Sequence, residues 1–257
     1  MIVIKSQREI DLMKKAGRIV AKVFETLEPL CKPGNTTKYL SEMAGKVITE
    51  NGGKSEEYGY YGYPGIVCTS VNDELVHGIP SNRKLRDGDI VSVDIVVSYQ
   101  GYMADACRTF AVGNLKPNAE KLVRVTRECF FEAIKFAKPG CRIGDIGNAI
   151  EEHAKENGFT VTHDFTGHGI GREMHEDPSV PCYGVAGTGS PVRKGMTIAI
   201  EPMVLEGRRE TKTLADGWTA VSIDHKLTAH YENTVIITDD GCEIITLTDK
   251  EIEEING

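Results

Sequence analysis

The chain has 257 residues, 40% of them hydrophobic and 26% charged, which is ordinary for a globular protein able to bury a sizeable core. Its net charge of -8 argues against a nucleic-acid substrate, because phosphate binding needs a basic patch. No signal-peptide core or bilayer-length apolar stretch is visible, and seven cysteines lack a regular framework, so we expect a cytoplasmic protein with reduced thiols and no membrane partner.

Helix signals mark the first part of the chain. Ser6 and Glu9 form a capping-box pattern ahead of apolar residues at helical spacing, and Lys32-Pro33-Gly34 ends this first helix. The same signals predict three further helices, over about 37–50, from near Pro117 to Lys138-Pro139-Gly140, and from there to Asn157-Gly158.

Strands are predicted at three β-branched runs, 89–97, 196–200 and 234–238. After the first run, we interpret Ser98-Tyr99-Gln100-Gly101 as a four-residue hairpin loop that pairs Val97 with Tyr102. This register places Asp94 directly opposite Asp105, with their Cβ atoms about 4.5–5.5 Å apart. Two like charges that close destabilise a strand pair unless a cation lies between them.

The helix stops and strand starts recur at a nearly constant offset. Lys32-Pro33-Gly34 and Lys138-Pro139-Gly140 are 106 positions apart, and Asp94 and Glu201, each at the end of a similar run, are 107 apart. We interpret this as a degenerate duplication inside a single domain, residues 1–257, with halves of roughly 1–113 and 114–257. The alternative is chance repetition of common turn sequences.

Ionisable side chains interrupt apolar or glycine-rich runs at several points. Asp94 lies in a β-branched strand and Glu201 follows another, where desolvation strongly destabilises an unpaired carboxylate. A structural ion pair explains either residue alone, but their matching positions favour a shared function. Five residues form the hard, mostly oxygen ligand set expected of a two-metal hydrolase: Asp94, Asp105, His168, Glu201 and Glu232.

Two more histidines and an aromatic run are candidates for substrate contacts. His175 follows His168 at an odd spacing, so a bend is needed if both serve one site, and His77 is a third imidazole. The segment Tyr58–Pro64 holds four tyrosines, and Trp218 is the only tryptophan. Such residues suit an apolar substrate pocket, with ordinary structural or surface roles as the alternative.

Six short motifs follow one another in a specific order: Val76-His77-Gly78-Ile79-Pro80, Ser92-Val93-Asp94, Ala104-Asp105, Thr166-Gly167-His168-Gly169, Ile200-Glu201-Pro202 and Tyr231-Glu232-Asn233-Thr234. Together they resemble type I methionine aminopeptidase of the M24 metallopeptidase family, in its compact bacterial form. The resemblance implies an α+β pita-bread (creatinase/aminopeptidase) fold, with two pseudo-symmetric halves around a curved antiparallel sheet. It also implies removal of the initiator methionine from nascent proteins whose second residue is small.

For the metal site, the resemblance implies two divalent ions, and Co, Mn, Fe and Zn all tolerate such ligands. Asp94 would bind the first ion through both oxygens, and Asp105 and Glu232 would bridge the two ions. His168 and Glu201 would complete the ligands of the second ion. Glu201 would also act as the general base toward the attacking water.

For the substrate, the resemblance implies the N-terminal peptide of a nascent protein near the ribosome, handled by a monomeric enzyme. His175 would contact the scissile carbonyl, and His77 would contact the amide-nitrogen side. Five further residues would line the methionine pocket: Tyr60, Tyr63, Cys68, Met174 and Trp218.

Two residues depart from the family pattern. Asn233 follows Glu232 where relatives often carry histidine, and Met174 precedes His175 where an aromatic is common. Two other functions stay open. One is a peptidase like prolidase or aminopeptidase P, whose members usually carry an extra N-terminal domain. The other is a non-catalytic peptide-binding module of the same fold, a class that tends to lose metal ligands.

Overall fold

The computed structural model describes all 257 residues, which form five α-helices and fifteen strands. The helices are α1 (Gln7–Leu27), α2 (Thr37–Glu50), α3 (Pro117–Ala133), α4 (Ile143–Glu156) and α5 (Asp249–Asn256). The strands are β1 (Lys54–Ser55), β2 (Cys68–Val71), β3 (Glu74–Val76), β4 (Ile90–Tyr99), β5 (Tyr102–Ala111), β6 (Thr160–Val161), β7 (Thr166–Gly169), β8 (Glu176–Pro181), β9 (Thr197–Ile200), β10 (Met203–Leu205), β11 (Thr211–Thr213), β12 (Ala220–Ser222), β13 (Thr228–His230), β14 (Asn233–Ile237) and β15 (Cys242–Ile244). None of the helices has the length and apolar character needed to span a membrane.

The four helices expected from the sequence are all present. The capping box of α1 is confirmed, because the Ser6 backbone N–H donates to Glu9 Oε2 at 2.8 Å. A short 3-10 turn follows each of α1 and α3, and Gly34 and Gly140 redirect the chain with φ of 93° and 95°. The fifth helix, α5, is not among the predicted elements, since it buries no residue and carries no apolar core stripe.

The turn between β4 and β5 corrects one prediction. β4 continues to Tyr99 and β5 begins at Tyr102, and these two residues pair, so the connecting loop has two residues and not four. Gln100 and Gly101 both have positive φ, 51° and 83°, as a type I′ turn requires. This turn matches the twist of the strands, which is why the ladder extends through Ser98 and Tyr99.

The longer ladder changes the pairing of the two aspartates. Asp94 lies opposite Cys107, and Asp105 lies opposite Val96. The prediction that Asp94 and Asp105 are directly opposed is therefore wrong. They are diagonal neighbours, offset by two positions, and the period of two along a strand keeps both side chains on the same face.

A second sheet has the strand order β15-β14-β9-β7-β8 and carries the other three ligand candidates. His168 lies within β7, Glu201 directly follows β9, and Glu232 directly precedes β14. Because Asn233 pairs with Ile200 in the antiparallel ladder, the two glutamates come together where that ladder ends.

The two sheets meet where β14 lies against β5. The Asp105 N–H donates to Thr234 Oγ1 at 2.9 Å, and the Thr234 hydroxyl donates to the Asp105 carbonyl oxygen at 2.8 Å. Glu232 and Cys107 also exchange backbone hydrogen bonds of 3.0 and 3.4 Å. Acidic residues from distant parts of the chain are thus brought to one place by backbone pairing.

Apolar side chains form two clusters between the helices and the sheets. One contains 25 buried residues, among them Met13, Phe24 and Leu40 of α1 and α2. The other contains 30, among them Leu122 and Phe130 of α3. All strand pairs are antiparallel, so the predicted α+β class is confirmed. The duplication, with a boundary near residue 113, stays a prediction.

Candidate metal centre and substrate pocket

A cavity of about 330 Å³ lies at the junction of the two sheets. Every residue that the sequence analysis assigned to a metal, a catalytic role or the substrate lines this one cavity: His77, Asp94, Asp105, His168, His175, Glu201, Glu232, Tyr60, Tyr63, Cys68, Met174 and Trp218. Side chains from positions as far apart as 60 and 232 thus converge on a single site.

The imidazole of His168 faces the carboxylates. Its Nε2 lies 3.6 Å from Asp105 Oδ2 and 3.6 Å from Glu201 Oε1. Its Nδ1 donates to the Gly169 carbonyl oxygen at 2.9 Å, which leaves the Nε2 lone pair free for a cation. One donor atom each from Asp105, His168 and Glu232 lies within 4.8 Å of the others.

Burial disfavours the ionised form of these carboxylates. It raises the pKa of Asp94, Glu201 and Glu232 well above the ordinary range, and the neighbouring carboxylates raise each pKa further. Burial likewise raises the pKa of Asp105 to about 7. Buried oxygens of Asp94, Asp105 and Glu232 have no hydrogen-bond partner. Unpartnered oxygens and a free imidazole nitrogen are the donors that divalent cations require, so these residues fit a metal centre.

The bend required between His168 and His175 is present, and the two rings are 4.3 Å apart between centroids. Burial and the neighbouring His168 lower the pKa of His175 to about 4, and burial and His175 lower the pKa of His77 to about 4. Both imidazoles are therefore neutral near pH 7. The Tyr60 hydroxyl lies 2.9 Å from His175 Nδ1, so it can donate there and leave the ring proton on Nε2.

Aromatic rings form one wall of the cavity. The rings of Tyr63 and Trp218 meet edge to face with centroids 5.1 Å apart, and those of His77 and Trp218 with centroids 6.4 Å apart. Tyr63 is fixed by donating its hydroxyl to the Gly78 carbonyl oxygen at 2.8 Å. Phe165, which the sequence analysis did not single out, packs against His77 at 5.5 Å.

Three further ionisable residues line the cavity and are missing from the sequence predictions: His230, Glu57 and Asp164. His230 is 1% exposed, and its Nε2 lies 3.7 Å from Glu232 Oε2. The available signal was its position two residues before Glu232, which in an extended segment places both on one face. Glu57 is 6% exposed and also lines the cavity. No local pattern reveals it, because its neighbours in the cavity are distant in sequence.

The two departures from the family pattern lie at different depths. Asn233 is fully buried, and its Oδ1 accepts hydrogen bonds from Arg108 at 2.7 Å and from the Thr246 hydroxyl at 2.8 Å. Met174 is 6% exposed and lines the cavity beside His175. Asn233 therefore supports the chain next to a ligand, whereas Met174 shapes the pocket.

Comparison with known proteins decides the family. A family model described as "Metallopeptidase family M24" matches residues 11–239. The chain belongs to this family. A methionine aminopeptidase of Clostridium perfringens is 49% identical over 96% of this chain and 99% of its own length. Methionine aminopeptidase 1 of Bacillus subtilis is 45% identical over 96% of this chain and 99% of its own length.

Solved structures agree with this assignment. A methionine aminopeptidase from Thermotoga maritima matches with a TM-score of 0.95 and 46% identity, over 96% of this chain and 100% of that chain. A prolidase from Pyrococcus furiosus matches with a TM-score of 0.77 over 96% and 66%, but at 24% identity this shows the fold alone. The predicted pita-bread fold and the resemblance to type I methionine aminopeptidases are confirmed, and the chain is an enzyme of the metallo-exopeptidase class.

Proposed function

We propose that this M24 enzyme removes the initiator methionine from nascent proteins whose second residue is small, using two divalent ions. The convergence of five ligand-type side chains with an aromatic pocket in one cavity carries the proposal. The relatives named as methionine aminopeptidases, 45–49% identical to the chain, support the substrate class.

The ions would be held by two acidic pairs, Asp94 with Asp105 and Glu201 with Glu232, and by the imidazole of His168. When bound, the ions supply Lewis-acid polarisation of the scissile carbonyl and lower the pKa of water. The ligand set tolerates Co, Mn, Fe or Zn, so availability decides which is used.

Three side chains are proposed to act on the reacting atoms. Glu201 takes a proton from the attacking water and passes it toward the leaving amine. His175, neutral because its pKa is about 4, donates a hydrogen bond to the oxyanion that develops on the carbonyl. His77 contacts the amide-nitrogen side of the scissile bond.

The pocket wall accounts for the choice of methionine. Tyr60, Tyr63, Cys68, Met174 and Trp218 present mostly apolar surface next to the metal centre. An unbranched thioether side chain adapts to such a pocket and makes favourable sulphur–aromatic contacts. A branched or charged side chain fits it less well.

We also propose a cytoplasmic, monomeric enzyme that acts near the ribosome on emerging N-terminal peptides. All seven cysteines are free thiols, including five buried ones, which suits a reducing compartment. Gel filtration with light scattering, with and without ribosomes, tests the monomer and the ribosome association together.

The decisive experiment compares substrates and metals on one preparation. The protein is stripped of metal by a chelator and given Mn, Fe, Co or Zn singly under anaerobic conditions. Release of methionine from Met-Ala-Ser is then measured beside cleavage of an Xaa-Pro peptide. We expect metal-dependent release from Met-Ala-Ser and none in the Asp94→Asn variant. Preference for Xaa-Pro would establish the prolidase-like alternative, and peptide binding without turnover would establish the non-catalytic one.

A further inference from the structure

A second group of potential ligands adjoins the five-residue centre. Glu57, Cys68 and Asp94 bring two carboxylate oxygens and a thiol sulphur to within 4.8 Å of one another. Glu57 is 6% and Cys68 5% exposed. Only Asp94 has a role in the centre proposed above, so Glu57 and Cys68 provide donors that the dinuclear site does not use.

The sheet and its preceding loop hold these three residues together. β2 and β4 pair Cys68 directly with Asp94, which puts both side chains on one face with Cβ atoms about 4.5–5.5 Å apart. The loop that carries Glu57 is tied to the same strand, since the Glu56 N–H donates to the Val96 carbonyl oxygen at 3.0 Å. The group is therefore built by backbone pairing and is not an accident of flexible side chains.

Two of its oxygens lack any partner. Glu57 Oε2 and Asp94 Oδ1 are buried without a hydrogen bond. The roles proposed for the dinuclear centre make no use of the Glu57 oxygen. A buried carboxyl oxygen without a partner is a favourable donor to a divalent cation.

We propose that Glu57 and Cys68, together with Asp94, form a site for a thiolate-binding divalent ion of the zinc and cadmium class, which adjoins the dinuclear centre and shares Asp94 with it. One thiolate and two carboxylates suit a borderline-soft ion, and three protein donors leave a fourth position for water. Binding breaks the S–H bond of Cys68, forms a sulphur–metal bond, and releases the proton to solvent. No electron is transferred.

The position of this site gives it a functional consequence. Glu57 and Cys68 line the same cavity as Tyr63 and Trp218 of the methionine pocket. An ion held there occupies space that the methionine side chain needs, so excess zinc or cadmium competes with substrate. This consequence rests on the proposed function, whereas the existence of the site does not.

The test begins with direct binding of Cd²⁺ to metal-free, full-length protein. Thiolate–cadmium charge-transfer absorption in the ultraviolet reports the Cys68 bond, and elemental analysis counts the ions. We expect the band in the wild type, its loss in Cys68→Ser, and an apparent affinity at least tenfold weaker in Glu57→Gln. Cys107→Ser is the matched control, because Cys107 also lies directly opposite Asp94 but does not belong to the ligand group of Glu57, and it should keep the band.

Each outcome decides the proposal. A wild type without the band, a band that survives Cys68→Ser, or equal Cd²⁺ affinities in the wild type and Glu57→Gln would overturn it. If Cys68→Ser fails to fold by circular dichroism, the Cd²⁺ affinity of the near-isosteric Glu57→Gln variant decides alone. As a second readout, excess Cd²⁺ should raise KM for Met-Ala-Ser in the wild type more than in Glu57→Gln. Binding of Cd²⁺ by an inactive protein would sink the proposed function and leave the site standing.

Discussion

The two acidic pairs of the proposed metal centre are held by different means. Asp94 and Asp105 lie in the interior of ten-residue strands, where β4 is paired with β1, β2 and β5. Glu201 and Glu232 lie one residue outside β9 and β14, where the ladder has ended. The first pair is positioned by a continuous backbone ladder, whereas Glu232 combines its backbone exchange with Cys107 and contacts to a side chain.

Arg108 supplies those contacts for Glu232. Its guanidinium donates to the Glu232 carbonyl oxygen at 2.6 Å and to Asn233 Oδ1 at 2.7 Å. Its charge is balanced by Glu251 of α5, which accepts from Nε at 2.7 Å. Tyr231 packs its ring against the guanidinium at 4.3 Å. Glu232, proposed above as a metal ligand, is thus connected through Arg108 to α5.

The largest expected effect comes from removing one carboxylate of each pair. Asp94→Ala and Glu201→Ala should both abolish most hydrolysis of Met-Ala-Ser. At saturating metal, however, Glu201→Ala should stay slower by about 10²–10⁴, because it also loses the general base. Measured kcat for both variants checks this. Substantial metal-dependent turnover in Glu201→Ala would refute its assignment as the base.

The two histidines provide the next comparison. His175→Ala should lower kcat by about 10²–10³ with a smaller rise in KM, because its hydrogen bond strengthens as the bond breaks. His77→Ala, which loses an ordinary hydrogen bond, should lower kcat/KM only about tenfold. Steady-state kinetics on Met-Ala-Ser separates the two parameters. A pure KM effect for His175→Ala is the result that contradicts its role.

A substitution in α5 tests whether Arg108 positions Glu232. Glu251→Gln removes the charge opposite Arg108, and we expect metal affinity to fall about 10–100-fold, the range typical of residues that orient a ligand. Asp249→Asn is the matched control on the same helix, since Asp249 pairs with exposed Arg18 at 2.9 Å and does not reach the centre. Calorimetric metal titration compares them, and equal affinities would show that Arg108 does not position Glu232.

The same ion pair predicts a pH dependence of stability. Burial by itself raises the pKa of Glu251, but Arg108, Thr248 and Tyr231 together bring it below the ordinary value of 4.5. A folded-state pKa below the unfolded one contributes stability that is present above pH 4.5 and lost as pH falls through the folded pKa. In urea unfolding, the advantage of the wild type over Glu251→Gln should therefore shrink under acid. If the advantage of the wild type instead grows as the pH falls, the pKa of Glu251 is not lowered by folding and the prediction is wrong.

The smallest effect is expected at the hairpin turn. Gly101→Ala places a side chain at φ 83° where no atom lies within 4 Å, so only the left-handed backbone is strained, by roughly 1 kcal/mol. Metal affinity should not change, because the ladder fixes Asp94 and Asp105 away from the turn. A fall in affinity would show that the first pair is less rigid than its pairing indicates. Urea unfolding measures the loss of stability, and metal titration measures the affinity.

Much of the site was predictable, because a carboxylate in an apolar strand needs a partner wherever it occurs. Asp94 and Glu201 carried this signal within their own segments. In the same way, the capping pattern of Ser6 and Glu9 marked the start of the first helix from local sequence alone. The hairpin register was missed because it depends on Gln100 adopting positive φ, which glutamine does not signal. Glu57 was missed because it approaches Cys68 and Asp94 only after folding. Arg108 was missed for the same reason, since its partner Glu251 is distant in sequence.

The Arg108–Glu251 pair joins residues 143 positions apart in the sequence. At 5–20 residues per second, translation makes Arg108 roughly 7–30 seconds before Glu251. During that interval the hairpin can form, but the guanidinium has no carboxylate and Glu232 has not yet been fixed. We therefore expect the proposed centre to reach its full metal affinity only after α5 docks against Arg108, so that a chain still being translated would bind an ion more weakly than the finished one.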